Sequence, residues 1–595
     1  MKNYLIVITI FLAGCGSPRK ATSTTPSVSF SPSWINSLAE NYFSETLILD
    51  PLYATSIGDH RYDDLLEVPL TADHRARVSE MVERYLKQIT AQGCVGMNEQ
   101  DLLTCQALTD DLVAQSQEIK SDLGYLMPVN QFDSFFVDFP DLASGSSYVS
   151  FDTKKDYENF LKRMHRIPAY FETMIQNMDL GVKKHVTTPK VLLEKALKQM
   201  DGLLVSDYTQ SVFYKPLLKL DAVVRKSDQG DLKQRYGDSI KNEIYPAYQK
   251  LRTYVHDSYL KNARTSSGLA ALPGGKAYYR ALARMNTTTD LTPDQIMKLG
   301  LSEVKRIRKE FERVKTQLGF KGKLKDFLKA IRVEPKLFPF HSAQEVMTAY
   351  EKIHTQVLNR VPEQFNLLPK AKFEIKEVEK FKAEMASESY QNASPDGTRP
   401  GIFWVPVPNA PQYSSKDMES LFLHEAIPGH HFQISIQQEL QNQPRYRRFA
   451  GNNAYVEGWA LYSEGLGKDL GMYSDPYQWL GRLSNEMHRA MRLVVDTGIH
   501  AKGWSRERAI QYSLENEAYD EAGIISEIER YMAIPGQALS YKVGELKILE
   551  LKERTKKALG VKYNAREFHA QILKDGALPL STLDKKFERW FKRVK

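Results

Sequence analysis

A cluster of histidines beside a glutamate is the part of the sequence best equipped for chemistry. His424 and Glu425 are adjacent, and His430 and His431 follow six and seven positions after His424. Neutral imidazoles are the commonest protein ligands for zinc, and a neighbouring carboxylate can act as general base for a water molecule that the metal activates. The stretch therefore predicts a site for a single Zn²⁺ ion per chain, with Glu425 as the base.

The spacing of these histidines does not fit a straight helix. His424 and His430 differ by about 240° around an ideal helix and by roughly 9 Å along it, and His431 lies about 10 Å along the axis from His424. Pro428 lacks a backbone N–H and Gly429 adopts angles that other residues avoid, so the helix should kink or bulge there. The extra residues would then be looped out and His430 would return beside His424, with His431 as the alternative ligand. If the helix simply ends at Pro428, the histidines are solvated or capping residues.

Two glutamates on a later, aromatic-rich helix are the remaining ligand candidates. Glu457 and Glu464 are seven positions apart and therefore share one helical face. A buried carboxylate is destabilising unless it is paired or bound to a metal. We predict Glu457 as the third ligand, because it is nearer the histidines in sequence, and Glu464 as a residue that orients a ligand imidazole. Two exposed glutamates on a surface helix are the alternative.

A stripe of polar residues follows on the helix predicted over residues 476–500. Arg492, Asp496 and His500 are placed at four-residue steps, so Asp496 can bond both of its neighbours. We predict that Arg492 binds a carbonyl or carboxylate group of a peptide substrate. His500 is predicted to stabilise the oxyanion that forms when the peptide bond is attacked. Asp496 is predicted either to orient a metal ligand or to be an alternative ligand itself. A ladder of ion pairs on the surface is the alternative.

Two tyrosines lie near a glycine-bearing loop that opens the next helix. Tyr531 precedes the loop and is a further candidate for binding substrate. Tyr541 follows Pro535 and Gly536, where its hydroxyl could donate a hydrogen bond to a developing oxyanion. Tyr541 is therefore a candidate catalytic residue.

The composition is that of an ordinary globular protein. The chain has 595 residues, of which 42% are hydrophobic and 26% charged, and its net charge of +8 is small for this length. Basic and acidic residues are interleaved, which gives no case for binding nucleic acid. The length allows a large core or two lobes.

The first residues predict export and a lipid anchor. Lys2 precedes a short apolar run, and Leu12-Ala13-Gly14-Cys15 resembles a bacterial lipobox, in which the cysteine becomes the lipidated first residue. We predict a signal peptide over 1–14, a lipid at Cys15 and a Ser-, Thr- and Pro-rich tether over 15–32. No later run of about 18 apolar residues follows, so no other membrane segment is predicted. The protein is expected at the periplasmic face of a bacterial membrane, and the outer membrane is favoured.

Two further cysteines, Cys94 and Cys105, are close in sequence. In an oxidising compartment such a pair is expected to close a short loop as a disulfide. Two buried free thiols are the alternative.

The periodicity of the mature chain predicts a mainly α fold. Apolar residues recur at three- and four-residue steps over most of 34–262, and Thr292, Pro293 and Gln295 form a strong helix start. Strand-like residues appear only at 370–381 and 402–407, which predicts a small β-sheet directly before the histidine stretch. An edge of that sheet could bind an extended peptide, or the strands could form a purely structural hairpin.

The chain resembles the bacterial family called domain of unknown function 885. The resemblance covers most of the mature chain and is strongest over 400–550. The motifs that carry it are His424-Glu425-Ala426-x-Pro428-Gly429-His430-His431-x-Gln433, Glu457-Gly458-Trp459-Ala460-x-Tyr462-x-Glu464, Val495-Asp496-x-Gly498-x-His500 and Pro535-Gly536-Gln537-Ala538-x-x-Tyr541-x-x-Gly544.

This resemblance implies a zincin-like helical fold, similar to carboxypeptidase Taq and to the thimet oligopeptidase group. Those peptidases carry H-E-x-G-H, so His424 and His430 correspond to ligands, with two extra residues between them in this chain. It also implies that Glu425 is the base, that Glu457 is the third ligand and that Tyr541 stabilises the transition state.

The sequence as a whole predicts a zinc peptidase acting on short peptides in the cell envelope. We expect one metallopeptidase-like domain over 33–595, with a deep cleft between lobes at about 33–370 and 371–595. Two alternatives remain open: a non-catalytic lipoprotein that serves as a scaffold or binds peptides, and a zinc amidase acting on cell-wall fragments. The sequence does not determine the oligomeric state.

Overall fold

The structure is a computed structural model, and it describes residues 33–594 except 146, 384–385, 395–396 and 398. The predicted signal peptide, Cys15 and the tether lie outside the described residues. Within the described part no helix is both long and apolar enough to cross a bilayer. The fold is mainly helical, as predicted, with one small sheet.

Fifteen α-helices precede the sheet in the described chain, joined by loops and short 3₁₀ and π segments. They are α1 (Trp34–Leu49), α2 (Pro51–Ser56), α3 (Ala72–Gln92), α4 (Glu99–Ser121), α5 (Phe135–Ala143), α6 (Lys154–Met164), α7 (Ile167–Lys183), α8 (Lys190–Leu203), α9 (Leu220–Val223), α10 (Lys226–Ser239), α11 (Tyr245–Tyr254), α12 (Gly275–Thr287), α13 (Pro293–Gln317), α14 (Leu324–Ile331) and α15 (Ala343–Gln364).

The helices that carry the predicted site residues come later in the chain. They and their neighbours are α16 (Lys380–Ala383), α17 (Met418–Glu425), α18 (His430–Gln438), α19 (Arg445–Phe449), α20 (Asn453–Gly465), α21 (Pro476–Lys502), α22 (Arg506–Asn516), α23 (Glu521–Ala533), α24 (Ser540–Leu559), α25 (Ala565–Leu573) and α26 (Leu580–Val594).

Local capping signals set several of these helix starts. The side chain of Thr292 accepts a hydrogen bond from the N–H of Gln295, and the side chain of Gln295 accepts one from the N–H of Thr292, which completes the predicted capping box of α13. The Asn452 side chain caps α20 by accepting from the N–H of Tyr455. The start of the helix that carries Glu457 and Glu464 is thus fixed by a residue adjacent to it.

The small sheet predicted before the histidine stretch is present and has three strands. These are β1 (Phe373–Glu377), β2 (Ser389–Gln391) and β3 (Gly401–Val405), in the order β1-β3-β2. The pairing of β1 with β3 is parallel and that of β2 with β3 is antiparallel. The sequence indicated β1 and β3 but not the short β2, which lies between them in the chain.

The buried hydrophobic side chains form three clusters. The largest contains residues from both ends of the described chain, including Leu47 of α1, Phe422 of α17 and Phe587 of α26. A second is built from the segment between Leu66 and Tyr259. The third joins α13 to α21. Residues on both sides of position 370 thus share one core, and the division into two lobes stays a prediction.

Close backbone contacts fix the two helix pairs next to the predicted site. A Cβ on Gly458 of α20 would lie 2.5 Å from the backbone of Gly544 in α24. A Cβ on Gly300 of α13 would lie 2.7 Å from the Leu493 side chain of α21. Real Cβ atoms do not approach other atoms so closely, so glycine is required for these crossings. The α20–α24 crossing brings Tyr541 towards Glu457, since each residue is about one turn or less from the contact.

Two further features of the fold bear on the predictions. Cys94, just after α3, and Cys105, in α4, are joined by a disulfide.

A cavity of about 460 Å³ lies between amino-terminal helices and the start of α20, where Asn452 lines it. Among the described residues that line this cavity there is none of the three ligand candidates, His424, His430 and Glu457. The deep cleft predicted at the site is therefore not this cavity.

Candidate metal centre

The helix that begins at Met418 is interrupted directly after Glu425. Ala426 has φ −107° and ψ −104°, outside the helical region, the Ile427–Pro428 peptide bond is cis, and α18 begins at His430. A Cβ on Gly429 would lie 1.9 Å from the carbonyl oxygen of His424, so only glycine allows the chain to pass this close to α17. The interruption loops out the intervening residues, as the sequence predicted.

The loop brings His430 back beside His424. The centroids of the two imidazole rings are 4.9 Å apart and the rings are nearly perpendicular. Glu457 of α20 completes the group: its Oε2 atom lies 3.6 Å from Nε2 of His424 and 3.7 Å from Nε2 of His430. One potential ligand atom from each of these residues lies within 4.8 Å of the other two, and all three side chains are buried.

Glu464 orients one of these imidazoles. Nδ1 of His424 donates to Oε1 of Glu464 at 2.8 Å, while the Ser420 hydroxyl donates to Oε2 at 2.8 Å. Because the carboxylate accepts, Nδ1 carries a proton, and Nε2 faces Glu457 and His430, where its lone pair is available to a metal once that nitrogen is deprotonated. This is the arrangement predicted for Glu464.

His431 points away from the group. Its Nδ1 lies 2.9 Å from the hydroxyl of Tyr390 in β2, and its ring packs against Phe373 of β1. Adjacent residues on a helix differ by about 100° in direction, so His430 and His431 cannot both face Glu457. The structure thus places His430, and not His431, with His424 and Glu457.

Two atoms of the group have no hydrogen-bond partner in the described structure. These are Oε2 of Glu457, the oxygen between the two imidazoles, and Nδ1 of His430; both are buried. Buried polar atoms are nearly always satisfied by hydrogen bonds, so an orphaned carboxylate oxygen facing two imidazole nitrogens requires an explanation. A cation bound by this carboxylate oxygen and one nitrogen of each imidazole would provide that explanation. The donor set of two imidazoles and a carboxylate is typical of zinc.

The charges of these groups depend strongly on one another. Burial opposes the protonation of His424, but Glu457 and Glu464 outweigh it and raise the pKa of His424 to about 10. Burial disfavours the carboxylate of Glu457, yet His424 and His430 lower its pKa to about 2. Burial lowers the pKa of His430 to about 4. The arrangement therefore favours positive charge between the carboxylates.

Glu425 lies at the end of α17, next to His424, and is half-buried. Burial raises the pKa of Glu425 to about 7, and the charge of Glu457 adds to this increase while His424 opposes it. A carboxyl group with a pKa near neutrality is well suited to take and return a proton. Glu425 directly follows His424, and its role as general base stays a prediction.

Tyr541, at the start of α24, lies close enough to the site for the charge of Glu457 to act on it. Its ring stacks against the guanidinium of Arg492, with 4.5 Å between the carbon at the centre of the guanidinium and the ring centroid. Burial raises the pKa of Tyr541, and the nearby charge of Glu457 raises it further, so the hydroxyl keeps its proton. A protonated hydroxyl can donate a hydrogen bond, as a stabiliser of an oxyanion must.

The hydrogen bonds predicted between Asp496 and its neighbours Arg492 and His500 on α21 are not present among the described residues. His500 is fully buried: its Nδ1 accepts from the N–H of Leu269 at 3.2 Å and its Nε2 donates to the carbonyl of Tyr531 at 2.9 Å. Asp496 accepts from the Tyr279 hydroxyl and from the N–H of Gly536. Both side chains therefore bond to other segments packed against α21, and the prediction that Asp496 bonds its neighbours on the helix is wrong.

Burial agrees with a structural role for His500. It lowers the pKa of His500 to about 3, so the ring is neutral, and both ring nitrogens are already used by backbone groups. No nitrogen of this ring is left to donate to an oxyanion. The structure gives no support to His500 as a catalytic residue, or to Asp496 as a ligand.

Arg492 and Tyr531 belong to another hydrogen-bonded group. Nε of Arg492 donates to the Tyr531 hydroxyl at 3.1 Å, and Nη2 of Arg492 donates to Glu527 at 3.0 Å. The Tyr531 hydroxyl donates in turn to Glu527 at 2.7 Å. Tyr531 thus fixes Arg492 beside Tyr541, and a direct contact between Tyr531 and substrate stays a prediction.

Sequence reasoning missed two residues that contribute to the site. Ser420 lies one turn before His424 on α17 and binds Glu464. Arg489 lies one turn before Arg492 on α21 and is close enough to lower the pKa of Glu425, Glu457 and Glu464. The signal for Ser420 was its spacing of four from His424. Arg489 has no comparable signal, because its importance depends on how α21 packs against α17 and α20.

Comparison with known proteins identifies a family but no activity. The family model described as bacterial protein of unknown function (DUF885) matches residues 51–587. No curated protein matches the chain.

Two solved structures resemble the protein along almost the whole chain. One is the "putative lipoprotein" from Colwellia psychrerythraea, with 28% sequence identity and a TM-score of 0.86, covering 94% of this chain and 99% of that one. The other is a "putative lipoprotein of unknown function" from Shewanella oneidensis, with 19% identity and a TM-score of 0.73, covering 93% and 99% of the respective chains. The second shows the fold alone.

Proposed function

The chain belongs to the DUF885 family, and we propose that it is a zinc-dependent peptidase that hydrolyses short peptides in the bacterial cell envelope. The single observation that carries the proposal is the group formed by His424, His430 and Glu457. Their donor atoms lie within 4.8 Å of one another, and the carboxylate oxygen between the imidazoles has no hydrogen-bond partner in the described structure. A bound cation would account for both the convergence and the orphaned oxygen.

These three side chains would hold the zinc ion. Nε2 of His424 is available because Glu464 fixes the proton on Nδ1, and Glu457 presents Oε2 to both imidazoles. Three protein ligands leave a coordination position open, which is typical of catalytic rather than structural zinc sites. Zinc bound there supplies a Lewis acid that polarises a carbonyl group and lowers the pKa of a water molecule.

Two neighbouring side chains supply the remaining chemistry. Glu425 accepts the proton of the attacking water and transfers it to the nitrogen of the leaving amine. Tyr541 donates a hydrogen bond to the oxyanion that forms from the scissile carbonyl. Its hydroxyl is held in place by the Arg492 stack and by the crossing of α24 over α20.

The proposal includes a zincin-like arrangement of two helical lobes around a deep substrate cleft. The interrupted helix with its histidines, the acidic helix α20 and the preceding sheet support it. A deep cleft admits short peptides and excludes folded proteins. Location in the envelope is supported by the lipobox-like sequence at Cys15 and by the similarity to the protein from Colwellia psychrerythraea.

Metal content tests the proposal directly. Purified protein should contain about one zinc ion per chain by elemental mass spectrometry. His424→Ala should lose the metal, whereas the exposed residue His341 provides a matched control, His341→Ala, that should retain it. If wild-type protein neither contains zinc nor takes it up, the non-catalytic scaffold becomes the better hypothesis.

Activity requires a second measurement on the zinc-loaded protein. Wild type should cleave members of a short-peptide library, and Glu425→Gln should retain zinc but lose at least about 100-fold in rate, as expected for loss of a general base. Cleavage of cell-wall fragments in place of peptides would favour the zinc amidase. Zinc binding without cleavage of either class would contradict the proposal.

A further inference from the structure

Two arginines on α21 carry buried N–H groups that have no partner. Nε of Arg489 and Nη1 of Arg492 are both buried and make no hydrogen bond within the described structure. A guanidinium N–H that is removed from water normally finds an acceptor, because leaving it unpaired is unfavourable. Two such donors one turn apart on a helix point to an acceptor that binds between them.

The position of Arg489 relates these donors to the metal centre. One turn before it, Asn485 donates to the hydroxyl of Ser420 at 3.4 Å, and Ser420 binds Glu464, which orients His424. About one turn after it, Arg492 stacks on the ring of Tyr541. Arg489 therefore lies between the residues that support His424 and the proposed donor to the oxyanion.

The two arginines differ in how their charges are balanced. Arg492 forms an ion pair with Glu527 at 3.0 Å. Arg489 makes no ion pair among the described residues, and the one hydrogen bond described for it is a long one, 3.5 Å, from Nη1 to the backbone oxygen of Asn485. A half-buried guanidinium without a carboxylate partner is unusual, and its natural complement is a planar anion that accepts two hydrogen bonds.

We propose that Arg489, assisted by Nη1 of Arg492, binds the terminal carboxylate of the substrate. This inference rests on the proposed peptidase function and specifies its substrates: peptides with a free carboxyl terminus close to the scissile bond. Hydrolysis adds one water across that C–N bond, so the acyl carbon gains the oxygen and the leaving nitrogen gains a proton. The products are a shortened peptide with a new carboxylate and a free amino acid or short carboxyl-terminal fragment.

A binding experiment tests the site independently of turnover. N-acetylalanine and its amide differ only in the carboxylate, and their affinities for the zinc-loaded protein can be compared by calorimetry. We expect the acid to bind at least about 10-fold more tightly than the amide to wild type, and the preference to disappear in Arg489→Gln. Arg313→Gln, which removes an exposed arginine of α13, should keep it.

Three results of this binding experiment would contradict the proposed carboxylate site. Equal binding of acid and amide, no binding of either, or a preference that survives in Arg489→Gln would overturn the inference, since a carboxylate held by the metal alone predicts the last outcome. If Arg489→Gln does not fold, Arg489→Lys keeps the charge but loses the planar pair of donors, and should lose most of the preference.

Turnover then separates this inference from the proposed function. A short peptide with a free carboxyl terminus should be cleaved with a kcat/KM at least about 100-fold above that of its amidated form, and Arg489→Gln should affect only the free acid. Equal cleavage of both forms overturns the inference and leaves the peptidase. An Arg489-dependent preference in binding without cleavage supports the carboxylate site and contradicts the peptidase.

Discussion

Two groups of mostly buried charged side chains lie near each other in this protein, and they are built differently. In the metal centre, Glu457 and His430 each have a buried polar atom without a partner. The other group, which we call the Lys542 cluster, combines three cations with three carboxylates. Its members are Lys542, Arg306, Arg482, Glu303, Glu486 and Glu545.

The Lys542 cluster pairs each of its charges with an opposite one, although Nε of Arg482 has no hydrogen-bond partner in the described structure. The Lys542 ammonium is fully buried and lies 2.7 Å from Glu486 and 3.0 Å from Glu303. It ties the start of α24 to α13 and α21, directly beside Tyr541. Charges that are paired within the fold serve stability, whereas charges left incompletely paired in the fold mark a position where something else binds.

The largest expected effect comes from breaking the Lys542 cluster. Lys542→Met should lower the free energy of unfolding by about 4 kcal/mol, because it leaves buried carboxylates without their shared cation. Urea denaturation measures the change. Lys556→Met, which removes an exposed lysine of α24, should change it by less than about 0.5 kcal/mol. A loss below about 1 kcal/mol in Lys542→Met would show that the cluster is not a stabilising element.

His500 provides the next test, since it was predicted as catalytic but is bonded like a structural residue. His500→Ala should cost about 3 kcal/mol of stability, because the N–H of Leu269 and the carbonyl of Tyr531 both lose their buried partner. Zinc affinity, measured by competition with a chelating dye, should stay unchanged. A variant of normal stability with impaired catalysis would restore His500 to the active site.

Gly429→Ala tests the loop that returns His430 to His424. The added Cβ would lie 1.9 Å from a backbone oxygen, so the chain must shift, and we expect a loss of about 2 kcal/mol in stability. Zinc affinity should fall by at least about 10-fold, because the second imidazole is displaced. Gly451 has open space around its Cα, so Gly451→Ala should bind zinc normally. Normal zinc binding in Gly429→Ala would show that the close approach is not required.

The smallest expected effect concerns Asp111, which is half-buried. Its carboxylate accepts a hydrogen bond from the Tyr446 hydroxyl and has no cation beside it in the described structure. Burial raises the pKa of Asp111 to about 7. The folded state therefore holds a proton that the unfolded state has already lost, and stability should fall as the pH rises from about 4 to 7, by on the order of 1 kcal/mol.

Asp111→Asn removes this titration, and its asparagine oxygen still accepts from Tyr446. The difference in unfolding free energy between wild type and Asp111→Asn, followed by denaturation at several pH values, should move in favour of the variant as the pH rises from about 4 to 7. A difference that does not depend on pH would show that Asp111 titrates normally.

The local pattern of the sequence predicted the mainly helical fold, the capping box at Thr292 and the small sheet, because each depends on residues near one another in the chain. It also predicted that Pro428 and Gly429 interrupt the helix, since proline removes a helical hydrogen bond and glycine permits the close return. The short strand β2 was missed, because three residues carry too little pattern to distinguish a strand from a turn.

The sequence alone determined which residues could meet at the centre: two histidines around a Pro-Gly break, and a glutamate on a later helix. Only the tertiary structure decided between His430 and His431, bonded Asp496 and His500 to segments distant in the sequence, and placed Arg489 near the carboxylates. The physical reason is that helical spacing fixes the face on which a side chain lies, whereas its partner depends on which helix packs against that face. That packing is decided here by the glycine contacts at Gly458 and Gly544 and by burial across the whole chain.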